Sequence, residues 1–207
     1  KNFDKSSNTQ DVAIQKDIIR WLICVLLKNA FGSSTDTKLK NTRDVINALV
    51  DTDSFPLQEL NSKLGITDKF SESEIEWILS IKYQTQYSFL ALSLLYPSRN
   101  WKDTIIHEDH IYPQTEFAKN KLKRCGYSEE KIEFYQNHFN TIINLQLLSD
   151  SENLSKNSTP FDTWISTRND EFKSIHKIPV LEDYSLNNFE KFISERKDLI
   201  RSFFNAI

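Results

Sequence analysis

Glycine and proline are scarce in this chain, which has only three glycines and five prolines among its 207 residues. A β-sandwich or β-barrel needs turn-forming residues at short, regular intervals, and this composition does not supply them. Hydrophobic residues still make up 39% of the sequence, an ordinary share for a chain that packs a core. The sequence therefore predicts a mainly α-helical protein.

Helical periodicity is clear in the first half of the chain. Apolar residues recur at helical spacing in residues 11–27, 39–50 and 75–95. Ser71 and Glu74 have the spacing of a capping box ahead of the last of these segments, which we expect to form one helix or a pair. Further helices are predicted in the second half, and the last two follow the strands and lie next to the C-terminus.

A domain boundary is predicted close to residue 100. Pro97 cannot continue the preceding helix, and a short β-branched stretch follows at residues 104–106. We therefore assign residues 1–100 to a helical domain and residues 101–207 to a second domain that contains the strands.

Charge and hydropathy exclude several classes of protein. The net charge is −3, so no overall basic field attracts nucleic acid, and any such binding must use a local surface. The longest apolar run, residues 21–27, is far shorter than the roughly 20 residues that span a bilayer. No signal peptide is visible at the start, and two distant cysteines do not form a disulfide framework. We expect a cytoplasmic protein with no membrane partner.

The strongest functional signal is an ordered set of polar residues in the second domain. The first two members follow the predicted strand at residues 104–106, and Pro113 ends the extended segment soon afterwards. The other three lie in or after a second predicted strand, residues 142–148. In chain order the set is Asp109, His110, Asn144, Asn153 and Lys156.

These residue types suit the hydrolysis of a phosphodiester bond, which needs an activated water, neutralised phosphate charge and help for the leaving oxygen. His110 can accept a proton from water because the pKa of histidine lies near working pH. Asp109 and Asn153 offer oxygen ligands, which suit one Mg²⁺ or Mn²⁺ ion. Neighbouring residues of a regular strand face opposite ways, so Asp109 and His110 can converge only if the strand ends there.

The order of these residues resembles the HNH nuclease motif in its Asp-His-Asn-Asn form. The resemblance implies a β-hairpin and a helix around one metal ion, the ββα-metal arrangement. It implies that Asp109 and Asn153 are the metal ligands and that His110 is the general base. It also implies that Asn144 holds the histidine loop and that Lys156, one turn beyond Asn153, faces the phosphate. The insertion at residues 114–143 is longer than in minimal members of the family.

Short segments elsewhere resemble one bacterial group. Residues 31–39 (Phe-Gly-Ser-Ser-Thr-Asp-Thr-Lys-Leu), 55–56 (Phe-Pro) and 94–97 (Leu-Leu-Tyr-Pro) are similar to the C-terminal half of GmrSD-type, modification-dependent restriction proteins, which include SspE-like nucleases. The resemblance implies a metal-dependent endonuclease of a phage-defence system, acting on phage DNA that can be modified. It also implies an N-terminal nucleotide-hydrolysing sensor domain in the same protein. The chain begins with Lys1 and has no Met, and we expect a fragment of such a protein.

Basic residues near the motif are candidate nucleic-acid contacts. A cluster within residues 117–124 could contact the phosphate backbone, although such a run is as often a solvated helix face. His107 is interpreted either as a phosphate contact or as a hydrogen-bonded neighbour of the site. The cluster consists of Lys119, Lys121, Lys123 and Arg124.

Other functions remain open at this point. A non-catalytic helical module could use a degenerate site to grip DNA or a partner protein. A dimerisation or regulatory domain could carry the Asp-His pair incidentally. Zinc binding by His107, His110, Cys125 and His138 is a further interpretation, but their spacing matches no zinc template known to us.

Overall fold

The structure, a computed structural model, describes residues 9–48, 54–97, 99 and 105–206. Helices dominate this part of the chain, and its strands are confined to one antiparallel pair. The prediction of a mainly α-helical protein is confirmed. Among the described residues, no helix has both the length and the apolar character needed to cross a membrane.

The chain divides into two compact units, residues 1–70 and 71–207. The boundary predicted after residue 100 differs from this division and falls inside the second unit. The reason is that residues 81–96 form hydrogen bonds with the second strand and with the residues just before it. The amide of Ile142 donates to the carbonyl of Ile81 over 2.9 Å. The amide of Leu147 likewise donates to the Tyr96 hydroxyl over 3.1 Å.

Among its described residues, the first unit contains three helices, α1 (Thr9–Leu27), α2 (Thr35–Ala48) and α3 (Leu57–Leu64). Trp21 lies in its core, and the indole N–H donates to Oδ1 of Asn61 over 3.0 Å. α3 ends at Gly65, which adopts a left-handed φ of 68° and caps the helix.

The second unit contains eight helices and two strands among its described residues. The predicted capping box forms at Ser71, and the predicted segment at residues 75–95 is a pair of helices rather than one. The second strand begins three residues later than predicted, because residues 142–144 form a 3-10 turn. In order, the elements are α4 (Glu72–Ser80), α5 (Ser88–Leu94), β1 (Ile106–His110), α6 (Lys119–Arg124), α7 (Glu129–His138), β2 (Leu145–Ser149), α8 (Asp150–Lys156), α9 (Phe161–Ser166), α10 (Asp170–Ile175) and α11 (Phe189–Ala206).

The strands and α8 form a strand–strand–helix unit. β1 and β2 are antiparallel, with Ile106 opposite Ser149 and His110 opposite Leu145. α8 begins directly after β2, because the Ser149 side chain and Glu152 form a capping box at its N-terminus. The long connection between the strands holds α6 and α7. The first strand, predicted at residues 104–106, instead runs from Ile106 to His110 and contains the Asp-His pair, because its pairing with β2 extends to Leu145.

The last helix, α11, packs against the segments that flank the two strands. The Tyr112 ring packs against phenylalanine rings of α9 and α11, and the Arg196 guanidinium is completely buried. This guanidinium has no carboxylate partner among the described residues and donates only to backbone carbonyls, which burial requires it to satisfy. The carbonyls belong to Ile142, Ile143, Leu145, His176 and Lys177.

A buried hydrogen-bond chain connects β2 to the end of α10. The Leu147 amide donates to the Tyr96 hydroxyl, and that hydroxyl is hydrogen-bonded to Nδ1 of His176 over 3.0 Å. His176 is 4% exposed, and burial, with the nearby Arg196 and Arg99 charges, lowers its pKa to about 3. The imidazole is therefore neutral in the folded protein.

This neutral histidine predicts acid sensitivity. The unfolded chain takes up a proton at His176 near pH 6.5, whereas the folded chain does so only near pH 3. Stability contributed by this group is thus complete above pH 6.5 and falls with decreasing pH, by about 1.4 kcal/mol per pH unit in that window. Urea unfolding between pH 7 and pH 4 should show a shallower pH dependence for His176→Gln than for wild type. His138→Gln is the control, and equal slopes for wild type and His176→Gln would contradict the account.

Candidate active site

The candidate site lies where β1 ends, at Asp109 and His110. Oδ2 of the Asp109 carboxylate accepts two hydrogen bonds. One comes from Nζ of Lys156 on α8 at 3.0 Å, and the other comes from Nε2 of Gln146 on β2 at 2.9 Å. The ring of His110 contacts a different part of the unit, at Asn140. The two motif residues thus reach out to different neighbours from one strand end.

Lys156 is buried beneath the strand end. Its side chain has no exposed surface, and its ammonium donates to the His110 carbonyl over 2.7 Å as well as to Asp109. Burial lowers the pKa of Lys156, and the Asp109 carboxylate limits that decrease. Lys156 is indeed one turn beyond Asn153, but this inward position differs from the phosphate-facing one expected. The ammonium compensates the half-buried Asp109 carboxylate and a strand-end carbonyl instead.

His110 is positioned as a neutral, largely buried base. Its Nε2 lies 2.9 Å from Oδ1 of Asn140, so Nε2 carries the proton and Nδ1 holds the free electron pair. The Tyr83 ring lies against the imidazole, with 4.5 Å between ring centroids. Burial lowers the pKa of His110, while the Asn140 bond and the Asp109 charge act in the opposite direction. At neutral pH the imidazole can therefore accept a proton.

Asn144 fixes the chain that leaves His110. Its Oδ1 accepts from the Tyr112 amide over 3.0 Å, and its Nδ2 donates to the Tyr112 carbonyl over 3.1 Å. The same Nδ2 donates to the Phe139 carbonyl over 2.8 Å, and the Asn144 carbonyl accepts from the Ile111 amide. These bonds hold the chain segment that follows His110.

Asp109 and Asn153 are the oxygen donors that fit a divalent ion. Asn153 is half-buried and precedes Lys156 by one turn, so both lie on the α8 face that meets β1. In the described part of the chain, neither the Asn153 side chain nor Oδ1 of Asp109 has a hydrogen-bond partner. One carboxylate and one amide suit Mg²⁺ or Mn²⁺, because such ions keep several bound waters.

A larger metal cluster is absent from the described residues. They contain no group of three or more His, Cys, Asp and Glu side chains that could hold an ion. The predicted pair of ligands contains only one such residue, Asp109, so this result bears on the zinc interpretation rather than on the Asp109–Asn153 pair.

The predicted nucleic-acid contacts lie outside this arrangement. His107 bonds through Nε2 to Oδ1 of Asp150 over 2.9 Å and ties β1 to the start of α8. On α6, Lys123 pairs with Glu129 over 2.7 Å, and Nε of Arg124 donates to the Asn120 carbonyl. Lys119 and Lys121 are exposed on the same helix. Phosphate contact by His107 and by these four residues stays a prediction.

Three contributors to the site are absent from the sequence prediction. Gln146 bonds to Asp109 directly across the hairpin, and strand pairing could have identified it once the register was known. Asn140 lies four residues before Asn144 but belongs to no motif. Tyr83 comes from the connection between α4 and α5, and no local pattern links it to His110.

Comparison with known proteins gives no relative: no protein-family model matches the chain, and no curated protein matches it. The similarity to HNH nucleases and to GmrSD-type proteins therefore rests on residues of this sequence alone. The function has to be inferred from the arrangement around Asp109 and His110.

The pair of buried Lys156 and half-buried Asp109 predicts strong energetic coupling. Lys156→Met leaves the Asp109 carboxylate, whose side chain is 14% exposed, without its cation and should cost about 3–5 kcal/mol of unfolding free energy. The double variant Lys156→Met/Asp109→Asn removes that uncompensated charge and should recover part of the loss, as measured by urea unfolding. Lys123→Met breaks the exposed pair with Glu129 and should cost less than about 1 kcal/mol. Additive costs in the Lys156 and Asp109 variants would contradict the coupling.

Proposed function

We propose that this chain is a metal-dependent endonuclease of the HNH type that cuts DNA. The observation that carries the proposal is the strand–strand–helix unit with Asp109 and His110 at the end of β1. Asn144 holds the following loop, and Asn153 lies on the helix face that meets the strand. This is the order of elements and roles that the Asp-His-Asn-Asn resemblance implies.

In this proposal His110 is the general base. Its Nδ1 takes the proton of the attacking water, while Asn140 holds Nε2–H and so fixes the tautomer and the ring orientation. Asn144 keeps the histidine loop from shifting through both backbone groups of Tyr112. Lowering of the His110 pKa by burial keeps the imidazole unprotonated and ready at neutral pH.

Asp109 and Asn153 would hold one Mg²⁺ or Mn²⁺ ion. When bound, such an ion supplies neutralisation of phosphate charge and stabilisation of the leaving oxygen. Gln146 and Lys156 both bond Oδ2 of Asp109, which orients the carboxylate and leaves Oδ1 for a ligand. Lys156 acts as a positioning residue in this proposal rather than as a phosphate contact.

The biological setting follows from the family resemblance. We place the chain as the effector part of a bacterial anti-phage restriction protein, with phage DNA as its target. A nucleotide-hydrolysing sensor domain of the same protein would choose the DNA, including modified DNA. The net charge of −3 agrees with that division of labour, because sequence-blind binding through a few cations suffices for the effector.

One observation favours a second function. Lys156 already neutralises the Asp109 carboxylate, as it would in a degenerate site that grips DNA or a partner protein without cleaving. The non-catalytic module and the endonuclease differ in a single readout, metal-dependent cleavage.

Cleavage of supercoiled plasmid DNA tests the proposal. Wild type should nick the plasmid with Mg²⁺ or Mn²⁺ and lose that activity with EDTA. His110→Ala deletes the proton acceptor and should lower the rate by about 10²–10⁴-fold, while Mn²⁺ binding measured by calorimetry is retained. Asn153→Ala should weaken Mn²⁺ binding instead.

His138→Ala is the matched control, because His138 lies on α7 with its ring stacked on Phe134. It should nick like wild type. Nicking that His110→Ala and Asn153→Ala both retain would refute the assigned roles, and a wild-type chain that binds DNA without cutting it would favour the binding module.

A further inference from the structure

The connection between α4 and α5 contributes an aromatic wall to the site. Its residues 82–86, here called the 82–86 turn, are Lys82, Tyr83, Gln84, Thr85 and Gln86. Tyr83 is half-buried, and its ring is tilted by 60° against the ring of His110 at 4.5 Å. The proposed base therefore has a tyrosine beside it that the motif does not include.

The 82–86 turn is fastened to the segment that precedes β2. Lys82 forms an isolated antiparallel bridge with Thr141. The Tyr83 amide donates to the Asn140 carbonyl over 3.0 Å, and the side chain of Asn140 is the group that bonds His110. One residue thus positions both the imidazole and the tyrosine backbone, which fixes the two rings relative to each other.

Glu108 fastens the other end of the turn to β1. Its Oε2 accepts from the Gln84 amide over 3.4 Å, and its Oε1 accepts from the Ser88 hydroxyl over 3.0 Å. Gln84 has a φ of 57°, a left-handed conformation that is unfavourable for a residue with a side chain. Such backbone strain persists where surrounding contacts enforce it, and it is concentrated at functional sites. Here the Glu108 carboxylate, which accepts from the Gln84 amide, holds the left-handed conformation of Gln84.

The exposed chemistry of the turn suits a nucleic-acid strand. Lys82 is exposed and forms no ion pair with any described residue, in contrast to Lys123 of α6. Tyr87, just after the turn, is half-buried and packs edge-on against Trp77, which is 40% exposed. A cation beside partly exposed aromatic rings is the combination that proteins use to hold nucleic-acid backbone and stack on its bases.

We infer that Tyr83 and Lys82 are substrate-contacting residues of this site. The Tyr83 ring packs on the base or sugar of the nucleotide next to the reacting phosphate, and Lys82 pairs with a neighbouring phosphate. The inference rests on the proposed function. It assigns to the 82–86 turn, which lies outside the motif, the task of placing the nucleic-acid strand against His110.

A purely structural role for Tyr83 makes a different prediction. If the ring served only to hold His110, its removal would have no effect on binding once the His110 ring is absent. Binding is therefore measured in the His110→Ala background, which also prevents cleavage during the titration. The probes are a fluorescein-labelled DNA single strand and its duplex, titrated by anisotropy over a series of salt concentrations.

Adding Tyr83→Ala to His110→Ala should weaken single-strand binding by about 5- to 150-fold, the cost of one lost stacking contact. Tyr83→Phe keeps the ring and should bind like the parent. Lys82→Ala should reduce the log–log salt slope for the duplex by about 0.9, the loss of one phosphate contact. Lys191→Ala removes an exposed lysine of α11 and should leave the slope unchanged.

Unchanged binding of both probes by Tyr83→Ala and Lys82→Ala would overturn the inference. Equal weakening by Lys191→Ala would also overturn it, since the effect would then be one of overall charge. Thermal unfolding of each variant shows that the comparison is between folded proteins. A wild-type chain that binds DNA through the turn but cuts no plasmid would refute the endonuclease proposal while leaving this contact in place.

Discussion

The buried ammonium of Lys156 is the interaction on which the candidate site depends. An amine with no exposed surface is costly unless anionic or carbonyl oxygens replace its water. Asp109 and the His110 carbonyl supply those oxygens, at 3.0 and 2.7 Å. Since Lys156 belongs to α8 and its partners to the end of β1, this contact sets the helix against the strand end. It also fixes which carboxylate oxygen of Asp109 is left for a ligand.

Two further buried groups hold the remaining pieces in place. Asn144 joins the entry of β2 to the loop that follows His110. Arg196 of α11 donates to the carbonyls on both sides of Asn144, and it also reaches the end of α10. Each is a fully buried polar group satisfied by backbone atoms from distant segments, an arrangement that specifies one geometry because any displacement leaves donors or acceptors unpaired. The side chains of the candidate site are thus placed by the interior of the unit.

Residues whose partners are close in sequence, or whose types define a motif, could be placed from the sequence. The helix carrying Asn153 and Lys156 belongs to this class. β1 does not, because it extends to His110, beyond the predicted residues 104–106, through its pairing with β2. Lys156 shows the limit, because helical spacing gave its position along α8 but not the direction of its ammonium, which depends on the Asp109 carboxylate beside it. Tyr83 and Asn140 could not be assigned, since their contacts with His110 arise only when separate segments pack together.

The central claim is that one divalent ion binds between the end of β1 and α8. Paramagnetic broadening by Mn²⁺ in an isotope-labelled sample tests it most directly, because the effect reports which nuclei lie near the ion. The account predicts that substoichiometric Mn²⁺ broadens the side-chain amide signals of Asn153 and Gln146 and the His110 ring signals, and that Asp109→Asn abolishes this effect. Broadening centred elsewhere in the chain, or unchanged by Asp109→Asn, would contradict the account.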